Sequence, residues 1–268
     1  MYCSLKNASI HYVTYGEGKP ILILHPLATD HRSMKAWLEP VFMQGKGFKR
    51  IYVDIPAHGK SKREDWVKTT DDMLDLLLQF IDKILPNEEF SLLGMSFGGY
   101  LAQGILNKRA AQIKGIALLC PPTRTLERTL PKRVILKRDD DLFDGLDEGI
   151  AQAFDLLLAT QTKETLNMFL EEFQPGRLLA DREFLASDWR TKRYHFSFEP
   201  FPEGSVYEQP TLILTGRQDY ICGFEDPFRL LNHFPNATYS VINGTGHLLH
   251  IEQREQVQFF IGEWLKEL

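Results

Sequence analysis

The chain has 268 residues, a length typical of one large domain or of one domain that carries a sizeable insertion. Hydrophobic residues make up 43% and charged residues 25%, which excludes a disordered, collagen-like or coiled-coil chain. Acidic residues outnumber basic ones by 36 to 31, for a net charge of -5. We therefore expect a small-molecule partner rather than a nucleic acid or an anionic membrane surface.

The cysteines and the first residues indicate the cellular compartment of the protein. Cys3, Cys120 and Cys222 are an odd number at wide spacings, which predicts neither a disulfide framework nor a zinc site. The opening stretch MYCSLKNASI lacks the basic and apolar regions of a signal peptide, and no apolar run reaches the roughly 18 residues of a membrane helix. We expect a cytoplasmic protein without a metal, and the sequence leaves its oligomeric state open.

The first strands are predicted from two short alternating stretches, residues 3–6 and 9–15, which indicate an antiparallel hairpin at a sheet edge. Six short and mostly apolar runs follow, as expected for interior parallel strands that are buried on both faces. These runs are residues 20–24, 48–54, 90–93, 113–119, 210–215 and 238–242.

Helical patterns separate most of these strands, at residues 33–44, 70–85, 97–108 and 254–268. Alternation of strand and helix favours an α/β fold with right-handed crossovers. The expected architecture is a mostly parallel eight-stranded sheet with helices on both faces.

The alternation stops once, after the sixth strand. From Pro121-Pro122 to about residue 202 the sequence is charged and helical, without a convincing strand. We predict a helical cap at residues 123–202, inserted into a core made of residues 1–122 and 203–268. The alternative is a set of helical hairpins that merely pack on the sheet, with the charges on a solvated face.

One part of this insertion, residues 150–173, has more apolar side chains than an exposed helix would carry. Some of them must therefore face the core or a substrate pocket, and the sequence leaves both possibilities open. The candidates are Phe154, Leu157, Leu158, Leu166, Phe169 and Leu170.

A candidate catalytic motif occurs at Gly94-Met95-Ser96-Phe97-Gly98, which matches the pattern G-x-S-x-G. This motif forms a sharp turn between a strand and a helix, where side chains on the flanking glycines would collide. Here it follows an apolar strand and opens a helical pattern, which is the context it requires. The sequence therefore predicts a nucleophile elbow at Ser96.

From this motif outward the chain resembles the α/β-hydrolase fold family along its whole length. Residues 25–27 resemble the family's oxyanion loop, residues 54–61 its D-x-x-x-x-G-x-S segment, residues 215–219 the segment with its acid, and residues 244–247 its histidine loop. The resemblance implies a cap-bearing, esterase-like serine hydrolase that needs no cofactor. The elbow serine differs from the aspartate of epoxide hydrolases and haloalkane dehalogenases and from the cysteine of dienelactone hydrolases.

The chemistry of a serine nucleophile agrees with this resemblance. Its hydroxyl needs a general base, and that imidazole needs a carboxylate to fix its tautomer. We predict Ser96 as nucleophile, His247 as base and Asp219 as acid, since the order Ser, Asp, His is the one the family requires.

Other residues could take these parts. His250 is the competing base, and Asp226 and Glu225 are fallback acids that are also explained as charges near a helix start. His25 and His58 are expected to hold their loops through hydrogen bonds to the backbone.

A tetrahedral oxyanion needs two N–H donors. Phe97, directly after the nucleophile, supplies one. Pro26 has no N–H, so Leu27 is the expected second donor.

The predicted function is hydrolysis of an ester-like carbonyl through an acyl-serine intermediate. The alternatives are a cofactor-free C–C hydrolase, lactonase, lyase or perhydrolase with the same three residues, and a non-catalytic receptor for a small ligand.

Overall fold

A computed structural model describes residues 1–43 and 47–268 and contains one large β-sheet. Eight strands lie in the order β1-β2-β4-β3-β5-β6-β9-β10. Their bounds are β1 Tyr2–Ser4, β2 Ser9–Tyr15, β3 Lys19–Leu24, β4 Phe48–Val53, β5 Phe90–Met95, β6 Ile113–Leu119, β9 Thr211–Gly216 and β10 Ala237–Ile242; two further short strands are β7 Lys137–Arg138 and β8 Thr160–Gln161.

The pairing of these strands gives the predicted fold class. β1 pairs antiparallel with β2, and β2 pairs antiparallel with β4, whereas β4, β3, β5, β6, β9 and β10 run parallel to one another. The hairpin at one edge is confirmed. The prediction of an interior position was wrong for β10, which forms the opposite edge and whose residues are mostly half-buried.

Helices cover both faces of the sheet. They are α1 Arg32–Met43, α2 Thr70–Ile84, α3 Phe97–Arg109, α4 Glu148–Leu157, α5 Lys163–Met168, α6 Gln174–Arg177, α7 Arg182–Ala186, α8 Glu225–Phe228, α9 Leu249–Glu252 and α10 Arg254–Glu267. α2 begins at a capping box, in which Thr69 and Asp72 satisfy each other's backbone N–H groups. The predicted helix at 33–44 is present as α1, and its last position, Gln44, lies outside the described residues.

The hydrophobic core consists of two layers, one on each face of the sheet. Leu22 and Leu24 of β3 belong to one layer, and Ile21 and Ile23 to the other, because successive strand residues point to opposite faces. Helices α2 and α3 pack on the first layer, and α1 and α10 on the second. Ligands bind at the carboxyl ends of the strands in such sheets, so we expect a functional site at the carboxyl ends of β3, β5, β9 and β10.

Residues 123–202, called here the inserted segment, connect β6 to β9. It contains α4 to α7 and two five-residue π-helical turns at Phe169–Phe173 and Trp189–Arg193. The expectation of no strand was wrong, because β7 and β8 pair in parallel. The amphipathic stretch at 150–173 is also not one helix: the chain is extended at Leu158, where α4 ends.

The apolar candidates in the inserted segment mostly pack against the core. Phe154, Leu158, Leu166 and Phe169 are buried in the layer that contains α1 and α10. The Phe154 and Phe169 rings meet edge to face, with 5.5 Å between their centroids. Leu157 and Leu170 are only partly buried beside this layer. Packing on the core, one of the two possibilities left open by the sequence, therefore accounts for the burial of these residues.

None of the helices in residues 1–43 and 47–268 has both the length and the apolar character required to cross a membrane.

Candidate active site

Ser96 lies in the turn that joins β5 to α3. Its φ of 51° and ψ of -120° are strained for a residue with a side chain. A Cβ at Gly94 would lie 2.5 Å from the Gly98 carbonyl oxygen, and a Cβ at Gly98 would lie 2.3 Å from the Leu24 carbonyl oxygen. Both glycines are therefore required by the close approach of strand and helix, as the motif predicts.

Hydrogen bonds join Ser96, His247 and Asp219 into one chain. His247 Nε2 lies 2.8 Å from Ser96 Oγ, and His247 Nδ1 lies 2.9 Å from Asp219 Oδ2. All three side chains are buried, and Ser96 retains 7% of its exposure. With its Nδ1–H donated to the carboxylate, the imidazole presents an unprotonated Nε2 to the serine hydroxyl.

The Asp219 carboxylate is fixed by its other oxygen. Asp219 Oδ1 accepts hydrogen bonds from the backbone N–H groups of Ile221 and Cys222, at 2.9 and 3.1 Å. Burial alone would raise the pKa of Asp219, but His247 and these two N–H donors hold it below its ordinary value. The group is therefore an anion that orients the imidazole.

The competing base and acids lie elsewhere. His250 is fully buried, and its ring lies 5.3 Å from that of Trp37. Burial lowers the pKa of His250 to about 3, so it remains neutral. Asp226 accepts hydrogen bonds from the backbone N–H and the hydroxyl of Thr129, and Glu225 is exposed to solvent.

His25 and His58 hold loops, as expected from the sequence. The His25 ring lies 2.7 Å from the Pro26 carbonyl oxygen through Nδ1 and accepts the Ile55 N–H through Nε2 at 3.0 Å. His58 donates from Nδ1 to the carbonyl oxygen of Pro56, at 3.0 Å. The bond between His25 and Ile55 ties the loop after β3 to the loop after β4, and the other two bonds lie within these loops.

The two predicted oxyanion donors lie on neighbouring loops. Leu27 follows β3, Phe97 is the first residue of α3, and Leu24 pairs with Gly94 across the two strands. Within residues 1–43 and 47–268, neither backbone N–H donates to a protein acceptor. Ala28 has a φ of 59°, so the loop after β3 bends sharply directly after Leu27.

The inserted segment contacts the histidine loop directly. The His247 N–H donates to the Leu157 carbonyl oxygen at the end of α4, at 2.8 Å. Glu252 bridges the same two regions: Oε1 accepts the N–H groups of Ala159 and Thr160, and Oε2 accepts that of Gly246, each at 2.7 Å.

The same segment also contacts the other two loops of the site. The Phe97 ring lies 5.6 Å from Trp189 and 5.4 Å from Tyr194, measured between centroids. Thr29 Oγ1, in the loop after β3, donates to the Phe173 carbonyl oxygen at 3.2 Å. Ser96 is therefore enclosed by contacts of the inserted segment with the histidine loop, the elbow and the loop after β3.

Two clusters in the described residues have the composition of a metal site. Cys120 joins Asp219 and His247, whose bonds to each other were described above; His11, His31 and Asp54 form the second cluster. Asp54 accepts from both histidine rings, at 2.8 and 2.7 Å, and from the Lys60 N–H at 2.9 Å. Burial opposes ionisation of Asp54, but His31 and the other donors keep its pKa below the ordinary value. A hydrogen-bond network therefore explains the cluster of His11, His31 and Asp54, which no sequence motif marks.

Sequence reasoning also missed Cys222 and Glu252. The Cys222 N–H donates to Asp219 Oδ1, three residues earlier in the chain. Glu252 lies five residues after His247 and is indistinguishable in the sequence from a surface charge. Only the three-dimensional contacts reveal either residue, since no motif marks them.

Comparison with known proteins identifies the family of the chain. The family model for the alpha/beta hydrolase fold matches residues 19–253, so the chain belongs to that family. A crystal structure of an alpha/beta superfamily hydrolase from Oenococcus oeni PSU-1 superimposes with a TM-score of 0.89 at 30% identity, covering 100% of this chain and 98% of the other.

Two curated relatives have named reactions. An (E)-2-((N-methylformamido)methylene)succinate hydrolase of Acinetobacter baylyi is 24% identical, over 97% of this chain and 95% of its own. A pimeloyl-[acyl-carrier protein] methyl ester esterase of Legionella pneumophila is 21% identical, over 96% and 100%. The chain is therefore a hydrolase enzyme of the α/β-hydrolase fold.

Proposed function

We propose that this enzyme is a serine hydrolase that cleaves an ester-like carbonyl of a small-molecule substrate through an acyl-serine intermediate. The observation that carries the proposal is the buried chain of hydrogen bonds from Ser96 through His247 to Asp219. The esterase among its relatives supports the same reaction class.

The proposed reaction begins when His247 Nε2 takes the proton of Ser96 Oγ, which attacks the carbonyl carbon. The N–H groups of Phe97 and Leu27 donate to the oxyanion that forms. Asp219 stabilises the imidazolium without itself taking a proton. His247 then protonates the leaving alcohol, the acyl group stays on Ser96, and a water molecule activated by His247 releases the acid.

We also propose that the inserted segment, residues 123–202, is a cap domain on a core of residues 1–122 and 203–268. Its contacts with the loops that contain Leu27, Phe97 and His247 support this division. Buried free thiols at Cys3, Cys120 and Cys222 support a reducing, cytoplasmic compartment.

The reaction class is tested with activated and unactivated substrates. A panel of 4-nitrophenyl esters, a lactone and a β-diketone is incubated with the wild type and with Ser96→Ala, and the acid products are identified by mass spectrometry. A burst of 4-nitrophenol followed by steady turnover is expected for the wild type alone. Turnover confined to the β-diketone would instead indicate a C–C hydrolase, and turnover confined to the lactone a lactonase.

A further inference from the structure

A pocket of about 300 Å³ lies between the inserted segment and the loop after Asp219. Its lining residues are Thr125, Arg128, Leu130, Arg190, Tyr194 and Ile221. Two of these are arginines, Arg128 and Arg190.

Three contacts join the lining of this pocket to residues of the candidate active site. Ile221 donates its N–H to Asp219 Oδ1, and the Tyr194 ring lies 5.4 Å from that of Phe97. Arg128 Nη1 lies 3.9 Å from Cys222 Sγ, and the Cys222 N–H donates to Asp219 Oδ1 at 3.1 Å. Arg128 is therefore connected through Cys222 to the carboxylate of the proposed acid.

Both guanidinium groups are held at the pocket. Arg128 donates to the Ile221 carbonyl oxygen at 2.8 Å and to that of Arg124, also at 2.8 Å. The Arg190 guanidinium lies over the Tyr194 ring, 4.6 Å from its centroid. A stacked guanidinium keeps its N–H donors free at the edge, where they can bind a planar anion.

The charges of this pair are not compensated by the protein. Neither Arg128 nor Arg190 lies within 4.0 Å of a carboxylate in the part of the chain that the structure describes. The adjacent Arg124, by contrast, has such a partner in Glu127. Asp219, the carboxylate on the far side of Cys222, is already bound by His247 and two N–H groups.

The titratable side chains between these charges stay neutral. Burial, together with Asp219, raises the pKa of Cys222, and burial raises the pKa of Tyr194. Two positive charges therefore lie at this small pocket, and among the described residues neither has a carboxylate within 4.0 Å. Arginine pairs of this kind recognise carboxylate and phosphate groups.

We propose that Arg128 and Arg190 bind a carboxylate of the substrate, so that the preferred substrate is the half-ester of a dicarboxylic acid. This inference rests on the proposed function, because it assigns a substrate class to the same site. A carboxylate is favoured because the pocket is small and because its lining residues Ile221 and Tyr194 contact Asp219 and Phe97 of the candidate active site.

The test compares two methyl esters whose acyl chains have equal length and differ in charge, monomethyl glutarate and methyl pentanoate. The wild type is expected to show a higher kcat/KM for the anionic ester. In Arg190→Gln and in Arg128→Gln the ratio of the two kcat/KM values should fall by about 10-fold or more, as for loss of a hydrogen bond to a charged group. Arg124→Gln, which removes a nearby arginine that does not line the pocket, is the matched control and should keep the wild-type ratio.

A second measurement does not depend on turnover. Glutarate should bind to Ser96→Ala in isothermal titration calorimetry, and Arg190→Gln in the same background should weaken this binding by about 10-fold or more.

The outcomes separate the two proposals. Equal rates for both esters, or equal losses for both in the arginine variants, would overturn the carboxylate pocket and leave the hydrolase reaction standing. Absence of turnover with every ester would contradict the proposed function, and glutarate binding would still decide the pocket on its own.

Discussion

Glu252 fastens the histidine loop to the inserted segment, and its removal should weaken the fold by a predictable amount. In Glu252→Ala the N–H groups of Ala159, Thr160 and Gly246 lose their acceptor. Ala159 and Gly246 are buried, whereas Thr160 is partly exposed and can bond to water. Two orphaned buried donors cost about 1–3 kcal/mol each, so the free energy of unfolding should fall by about 2–6 kcal/mol.

The matching decrease in Tm is about 5–15 °C for a chain of this size. Glu252→Gln keeps one oxygen as acceptor but turns an NH2 group toward a backbone N–H, which should cost about 1–3 kcal/mol. Calorimetry and urea unfolding at pH 7 measure both variants. Glu255→Ala is the control, since that side chain is exposed on the next helix and its loss should change stability by less than about 0.5 kcal/mol.

The pH dependence gives a further check on Glu252. Burial raises its pKa to about 8, from an ordinary value of 4.5, against the effect of the N–H donors. The folded state thus binds the Glu252 proton more tightly than the unfolded state does. The stability that protonated Glu252 contributes is therefore complete below about pH 4.5 and is lost as the pH rises through 8. The stability advantage of the wild type over Glu252→Gln should shrink between pH 5 and 9. A Tm of Glu252→Ala within about 2 °C of the wild type would refute the reasoning.

Three further predictions concern the site and the core. Ser96→Ala and His247→Ala should each lower kcat by at least about 10³-fold, with the double variant barely worse, because residues that act as a unit are not additive; additive losses in steady-state kinetics would contradict this. Asp219→Asn should lower kcat by a similar or smaller factor while the circular dichroism spectrum stays that of the wild type, and full activity would show that the acid lies elsewhere. The free energy of unfolding of His250→Phe, relative to that of the wild type, should be higher at pH 4 than at pH 7. Burial lowers the pKa of His250 to about 3, so the stability that its neutral form contributes to the wild type is lost as the pH falls below the ordinary value of 6.5. Urea unfolding at both pH values measures this difference, and an equal difference at the two pH values would contradict the prediction.

The sheet and the elbow were predictable because local sequence determines them. A short, mostly apolar run such as 113–119 favours a strand that is buried on both faces, because it is too short for a typical helix. The spacing of Gly94, Ser96 and Gly98 reflects the steric requirement of a single turn. The proximity of Ser96, His247 and Asp219 followed from the family's order of motifs, since three strand ends meet at one edge.

The inserted segment was less predictable because its conformation depends on distant contacts. The apolar content of residues 150–173 predicted that some of its side chains are buried, but it did not predict the extended chain at Leu158. There the backbone N–H groups of Ala159 and Thr160 bond to Glu252, a residue that is distant in the sequence. The position of β10 at an edge depends on the order of the strands, which is not encoded in its own residues. The same holds for Arg128, whose pocket forms only when the segment folds over Ile221.

The central claim, that Ser96 is a nucleophile activated by His247, is tested most directly by covalent labelling. The protein is treated with a fluorophosphonate, digested and analysed by peptide mass spectrometry. We predict a single adduct on Ser96 in the wild type, no adduct in Ser96→Ala and labelling that is slower by at least about 10³-fold in His247→Ala. An adduct on another residue, or unchanged labelling of Ser96 in His247→Ala, would contradict the account.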